Sequence, residues 1–142
     1  MVLRVEALRE KLLRLHEVVE QLAALSTRDR AALADLPDRW LVERGLQVGA
    51  ELLFGIGQHI LSAHFGVTTR DYEEIAQRLG AHGVLSPELV NRLRGLGGFR
   101  NLLVHDYAEL DPVRVLDHLA DAPADFGDFT AAIRRWLDAQ PV

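Results

Sequence analysis

Along the first 25 residues, apolar side chains recur at Val5, Leu8, Leu12, Leu15, Val19, Leu22 and Leu25, the three-and-four spacing that turns one face of a helix toward a core. Charged residues fill the intervals, and the pattern predicts a first helix over residues 2–25. Ser26 with Asp29 three positions on is a capping signal, predicting a short helix over 27–36 that Pro37 interrupts. The longest predicted helix covers 38–65. There Trp40, Leu41, Leu46, Val48, Leu52, Leu53, Phe54, Ile56, Ile60 and Leu61 occupy most of the circumference, which places this helix at the centre of the molecule.

A narrow polar stripe remains on that central helix at Glu43, Gln47, Glu51, Gly55, Gln58 and Ser62. Gly45 and Gly49, four apart, allow a close approach by another helix or by a second subunit, despite costing about 1 kcal/mol each in helix propensity. A fourth helix is predicted over 70–79, stopped by Gly80. Ser86-Pro87-Glu88 opens a fifth, since serine caps, proline suits the first helical position and an acid favours the positive end of the dipole. This fifth helix is expected to run on through "GFRNLLVHDY". Asp111-Pro112 starts a sixth helix reaching about residue 120, and a last one follows Pro123 over 126–137. No strand pattern or repeat is present. The expected fold is all-α, an antiparallel helical bundle of about five to seven helices with short loops, in one domain spanning 1–142.

Composition narrows the function classes. The 142 residues are 49% hydrophobic and 26% charged, as in folded soluble domains. There is no cysteine, which removes disulfides, thiolate metal sites and cysteine nucleophiles together and suits the cytoplasm. The longest uncharged apolar stretch, LLFGIGQHILSAHF, falls short of the roughly 20 residues a membrane span needs. A formal charge of −5 disfavours broad, sequence-independent binding to nucleic acid, so any such site must be local.

Local chemistry concentrates at Arg100, Asn101, His105 and Tyr107. On a helix Asn101 and His105 lie one above the other, while Arg100 and His105 are separated by about 140° around the axis. The last two meet at one atom only if the helix loosens or a second copy supplies the missing partner, which favours a dimer. A neutral-range histidine and an arginine are the groups that metal-free RNA cleavage requires. The histidine takes the 2′-hydroxyl proton, and the arginine holds the charge developing on phosphorus. The same residues are also what the negative end of a helix dipole attracts with no chemistry at all. His59 and His64, five apart, do not share a helical face, and no metal site is expected. Glu43 and Glu51 are expected to pair with arginines or line a dimer cleft. Trp40, Phe54 and Phe65 are expected as core aromatics.

Arg100, His105 and Tyr107 match the Arg-x-x-x-x-His-x-Tyr motif of the HEPN superfamily, and "GFRNLLVHDY" closely resembles its HepT toxin branch. The resemblance extends over "ERGLQVGAELLFGIGQHI", the segment from "DYEEIAQRLG" to the motif, and the Asp-Pro helix after it. It implies the RNA-cleaving toxin of a HepT/MntA-type toxin-antitoxin pair, active as a homodimer and needing no cofactor. Arg100 and His105 are then catalytic, with Asn101 and Asp71 supporting. Tyr107 takes the place of the tyrosine that a partner MntA-like nucleotidyltransferase antitoxin modifies with AMP, silencing the nuclease. The alternative is a non-catalytic helical module that binds nucleotide or docks a nucleotidyltransferase.

Overall fold

The computed structural model describes residues 2–105, 108 and 110–141. Among these lie seven helical segments and no strand: α1 (Val5–Ser26), α2 (Arg30–Leu33), α3 (Leu36–Ala63), α4 (Tyr72–Ala81), α5 (Pro87–Arg92), α6 (Leu96–His105) and α7 (Pro112–Asp138). The all-α expectation holds. Among the described residues no helix is long and apolar enough to cross a membrane.

The predicted seam of α1 is its buried face, with Leu8, Leu12, Leu15, Leu22 and Leu25 in the core. Contacts along α1 fix its direction. Arg4 donates its backbone N–H to His59 Nε2 across 3.0 Å, whereas a Cβ added at Gly45 would stand 2.9 Å from Leu22, so α1 and α3 run antiparallel. Arg9 reaches Asp138 at 3.1 Å while Val19 faces Gly127, so α1 is antiparallel to α7 as well. A Cβ at Gly49 would stand 2.5 Å from Phe126 and 3.3 Å from Val18. Gly45 and Gly49 therefore admit α1 and α7 of the same chain. The core runs through Leu46, Ala50, Leu53, Ile56 and Ile60 of α3 and Phe126, Phe129 and Ile133 of α7.

Several predicted boundaries are corrected. Ser26 closes α1, its hydroxyl donating to the Ala23 carbonyl, and Asp29 alone caps α2 by accepting from the Ala31 N–H. Pro37 occupies the first turn of α3 and interrupts nothing, because a first-turn residue has no intrahelical bond for its missing N–H to lose. The fifth helix divides: α5 stops at Arg92, and Gly95, with φ of 89°, turns the chain into α6. The last two predicted helices are one, since Pro123 lies inside α7. An interior proline costs about 3 kcal/mol. Leu119, Ala122, Phe126, Phe129 and Ile133 nevertheless keep one buried stripe across it, and that packing carries the helix through.

Candidate active site

The α6 helix has no capping side chain of its own immediately before it, and α4 supplies one. Glu73 accepts from the Gly97 N–H at 2.7 Å and from the Gly95 N–H at 3.0 Å, placing a carboxylate at the positive end of the helix. Gly97 permits this approach. A Cβ there would lie 2.9 Å from the Glu73 backbone nitrogen and 3.0 Å from the Tyr72 Cβ. With α6 seated so closely on α4, Leu96, Phe99 and Leu103 enter the core, and Arg100 falls at the edge of that buried face.

The Arg100 side chain is 15% exposed and is held from three sides. Its Nη2 donates to Glu51 Oε1 on α3 at 3.2 Å, and its Nη1 donates to Asn101 Oδ1 at 3.3 Å. The guanidinium carbon sits 4.7 Å from the centre of the Tyr72 ring, which in turn stacks on Phe54 at 5.0 Å. Gln47 donates to the same Glu51 oxygen at 3.3 Å. Arg100 Nε is buried without a hydrogen-bond partner among the described residues, and an unpaired buried donor costs about 1–3 kcal/mol. Beyond Gln47 the stripe opens into a groove of about 500 Å³ lined by Trp40, Glu43, Arg44, Gln47 and Leu103. Burial raises the Glu43 pKa above the ordinary carboxylate value, with Arg39 pulling the other way.

The structure brings Arg100 and Asn101 together, and leaves His105 one turn beyond Asn101 and away from Arg100. His105 is the exposed last residue of α6, about 7.5 Å farther along the axis and about 140° around it from Arg100. The helix stays regular as far as His105, so it does not loosen to close that gap. Asp71 is the N-cap of α4, accepting from the Glu74 N–H at 3.0 Å. Tyr107 lies outside the described residues. Two site residues escaped the sequence reading: Tyr72 as the surface under Arg100, and Glu73 as the cap of α6. Glu51 is the arginine partner that its place in the polar stripe allowed.

Other expectations resolve structurally. His59 accepts the Arg4 N–H, and its pKa is lowered by burial first and then by Lys11 and Arg4. His64 packs edge-on against Phe65 and Trp136. Trp40 is 62% exposed and Leu41 57%, so Trp40 is not a core aromatic: it lies in the first turns of α3 with most of its side chain open to solvent. Phe54 is in the core and Phe65 packs against it. Among the described residues no three His, Asp or Glu side chains cluster as a metal site would need.

The family model described as "Ribonuclease HepT-like" matches residues 12–133. A tRNA nuclease HepT from Aphanizomenon flos-aquae (strain 2012/KM1/D3) is 29% identical over 106 residues, spanning 74% of this chain and 71% of the relative. A toxin-antitoxin crystal structure with AMP-PNP superposes with a TM-score of 0.82 at 19% identity, covering 92% of this chain and 98% of that one. The tri-AMPylated Shewanella oneidensis HEPN toxin in complex with MNT antitoxin gives 0.80 at 20% identity, over 90% and 96% of the two chains.

Proposed function

This chain belongs to the HepT-like family, and from that premise we propose that it is the toxin of a toxin-antitoxin pair, a single-domain, cytoplasmic, metal-independent endoribonuclease. The observation that carries the proposal is the immobilised Arg100 guanidinium, held by Glu51, Asn101 and the Tyr72 ring, five residues before an exposed histidine. The kinship with a tRNA nuclease supports RNA as the substrate class.

In the proposed reaction the His105 imidazole takes the proton of a ribose 2′-hydroxyl. The 2′-oxygen attacks the adjacent phosphorus, and the bond to the 5′-oxygen breaks. That oxygen leaves with a proton from an imidazolium or from water, giving a 2′,3′-cyclic phosphate and a 5′-hydroxyl end. Arg100 stabilises the charge on the non-bridging oxygens, where a pre-placed cation is worth most, and Asn101 steadies the guanidinium. Asp71 supports the region by starting α4. Because His105 stands well around the helix from Arg100 in the same chain, a homodimer that faces two copies of α6 supplies the convergent pair.

Regulation is proposed to fall on Tyr107, two residues past His105. AMP units attached there by a separate MntA-like nucleotidyltransferase add bulk and negative charge beside the phosphate site, and both oppose RNA binding. The test is growth after induced expression. Wild type arrests growth, co-expression of the nucleotidyltransferase relieves the arrest, and His105→Ala is harmless while folded. Arrest by His105→Ala at wild-type levels contradicts the proposal. Harmless wild type that still binds the nucleotidyltransferase favours a docking module.

A further inference from the structure

Arg100 is tethered to α3 by a carboxylate, and this is a poor arrangement for an arginine whose only task is to attract phosphate. A negative group 3.2 Å from the guanidinium offsets its charge and repels an incoming phosphate. Its benefit is geometric. An arginine side chain is long and flexible, and the transition state rewards a cation only where it already stands. Glu51 Oε1 fixes one end of the fork, the Tyr72 ring covers its face, and Gln47, donating to the same oxygen, holds the carboxylate. Asn101 is exposed and adjacent in sequence, so it cannot anchor the arginine to the rest of the fold. Glu51 can, because it comes from the central helix.

We infer that Glu51 is the positioning residue for Arg100, fixing the guanidinium through its Oε1 acceptor and acting on catalysis rather than on substrate affinity. The inference rests on the ribonuclease reading for its kinetic consequence, but its geometric content stands apart from that reading. Glu51 transfers no proton in this role, since both interactions on Oε1 are accepted ones.

The test compares Glu51→Ala with Glu51→Gln, whose amide oxygen accepts the same two hydrogen bonds without the charge. In RNA cleavage by the full chain, Glu51→Ala is expected to lower kcat about tenfold or more, since small misplacements of a catalytic group are costly. KM should stay level or fall, because a repulsive carboxylate is gone. Glu51→Gln is expected to restore kcat to within about threefold of wild type. An alanine variant with wild-type kcat, or a glutamine variant as impaired as alanine, overturns the inference. A second readout needs no activity: the Arg100 Nε–H resonance, assigned by its loss in Arg100→Lys. It should be resolved and slow to exchange in wild type and Glu51→Gln, and merge with the exposed arginines in Glu51→Ala. Its persistence in the alanine variant also overturns the inference. Absence of cleavage by wild type would instead count against the ribonuclease reading, with the resonance still deciding the role of Glu51.

Discussion

Glu73 on α4 accepts the Gly97 N–H of α6 across 2.7 Å, so the helix that carries Arg100 is capped by the helix that places Tyr72 against it. The space for this contact is the missing Cβ of Gly97. Gly97→Ala puts a carbon 2.9 Å from the Glu73 backbone, and overpacking of this kind destabilises by about 1–3 kcal/mol. Gly98, also in α6, has nothing within 4 Å of an added Cβ, so Gly98→Ala should stabilise by up to about 1 kcal/mol through helix propensity. Urea unfolding midpoints of the two variants should move in opposite directions.

Tyr72 offers Arg100 a ring face, and its stack on Phe54 uses the same ring. Tyr72→Phe keeps both and should leave RNA cleavage within about twofold of wild type, whereas Tyr72→Leu removes the cation–π contact, worth about 0.5–2 kcal/mol. A drop in kcat in the leucine variant only, at matched folded fraction, is the expected result.

Asp71 serves α4 as its N-cap. Asp71→Ala should cost about 1 kcal/mol of stability, the usual value of such a cap, with Asp71→Asn largely sparing it. Chemical denaturation of the two variants checks this. Cleavage by the asparagine variant should remain near the wild-type rate.

Acid should weaken the fold through half-buried histidines. His118 stacks on Phe99 at 3.7 Å, and its pKa is lowered by burial first and by Arg114, against the opposing pull of Asp121, Asp117 and Asp125. Above about pH 6.5, the ordinary histidine value, both folded and unfolded forms are neutral. Below it the unfolded chain takes the proton first, so stability falls from about pH 6.5 down to the lowered folded pKa. His59 adds to this with the same sign. Glu43 and Asp125 act oppositely and at lower pH. Burial raises both, so stability recovers as pH falls through their raised folded values toward about 4. The melting temperature of wild type should therefore decline from pH 7 to below 6.5, and His118→Gln should show a shallower decline from a lower starting point.

The helical architecture was legible because one-face periodicity survives whatever the neighbours do: the α1 leucines, and Leu46, Leu53, Phe54, Ile56, Ile60 and Leu61 of α3, are buried as read. Boundaries failed where tertiary packing overrode a local signal. Leu89, Leu93, Leu96, Phe99 and Leu103 are all buried at steps of three and four, so the apolar pattern passes through the break at Gly95 without marking it. Conversely, Pro123 looked like a stop, yet the buried stripe of α7 crosses it. At the site, the motif spacing singled out Arg100, Asn101 and His105. The stripe marked Glu51 as an arginine partner, but that its arginine is Arg100, and that Tyr72 lies under it, was not readable, because the crossing of α3, α4 and α6 brings them together and no spacing along one helix encodes that crossing. Trp40 misled because an aromatic at helical spacing carries no information about whether a neighbour covers it.

The proposed metal-free cleavage of RNA through its 2′-hydroxyl rests on Arg100 and His105 as its centre. The most direct measurement is incubation of the purified chain, carrying unmodified Tyr107, with RNA in EDTA, beside Arg100→Ala and His105→Ala, followed by mass analysis of the fragment ends. Fragments ending in 2′,3′-cyclic phosphate from wild type and from neither variant are the expected result. Intact RNA with wild type, or equal cleavage by His105→Ala, would rule out that centre.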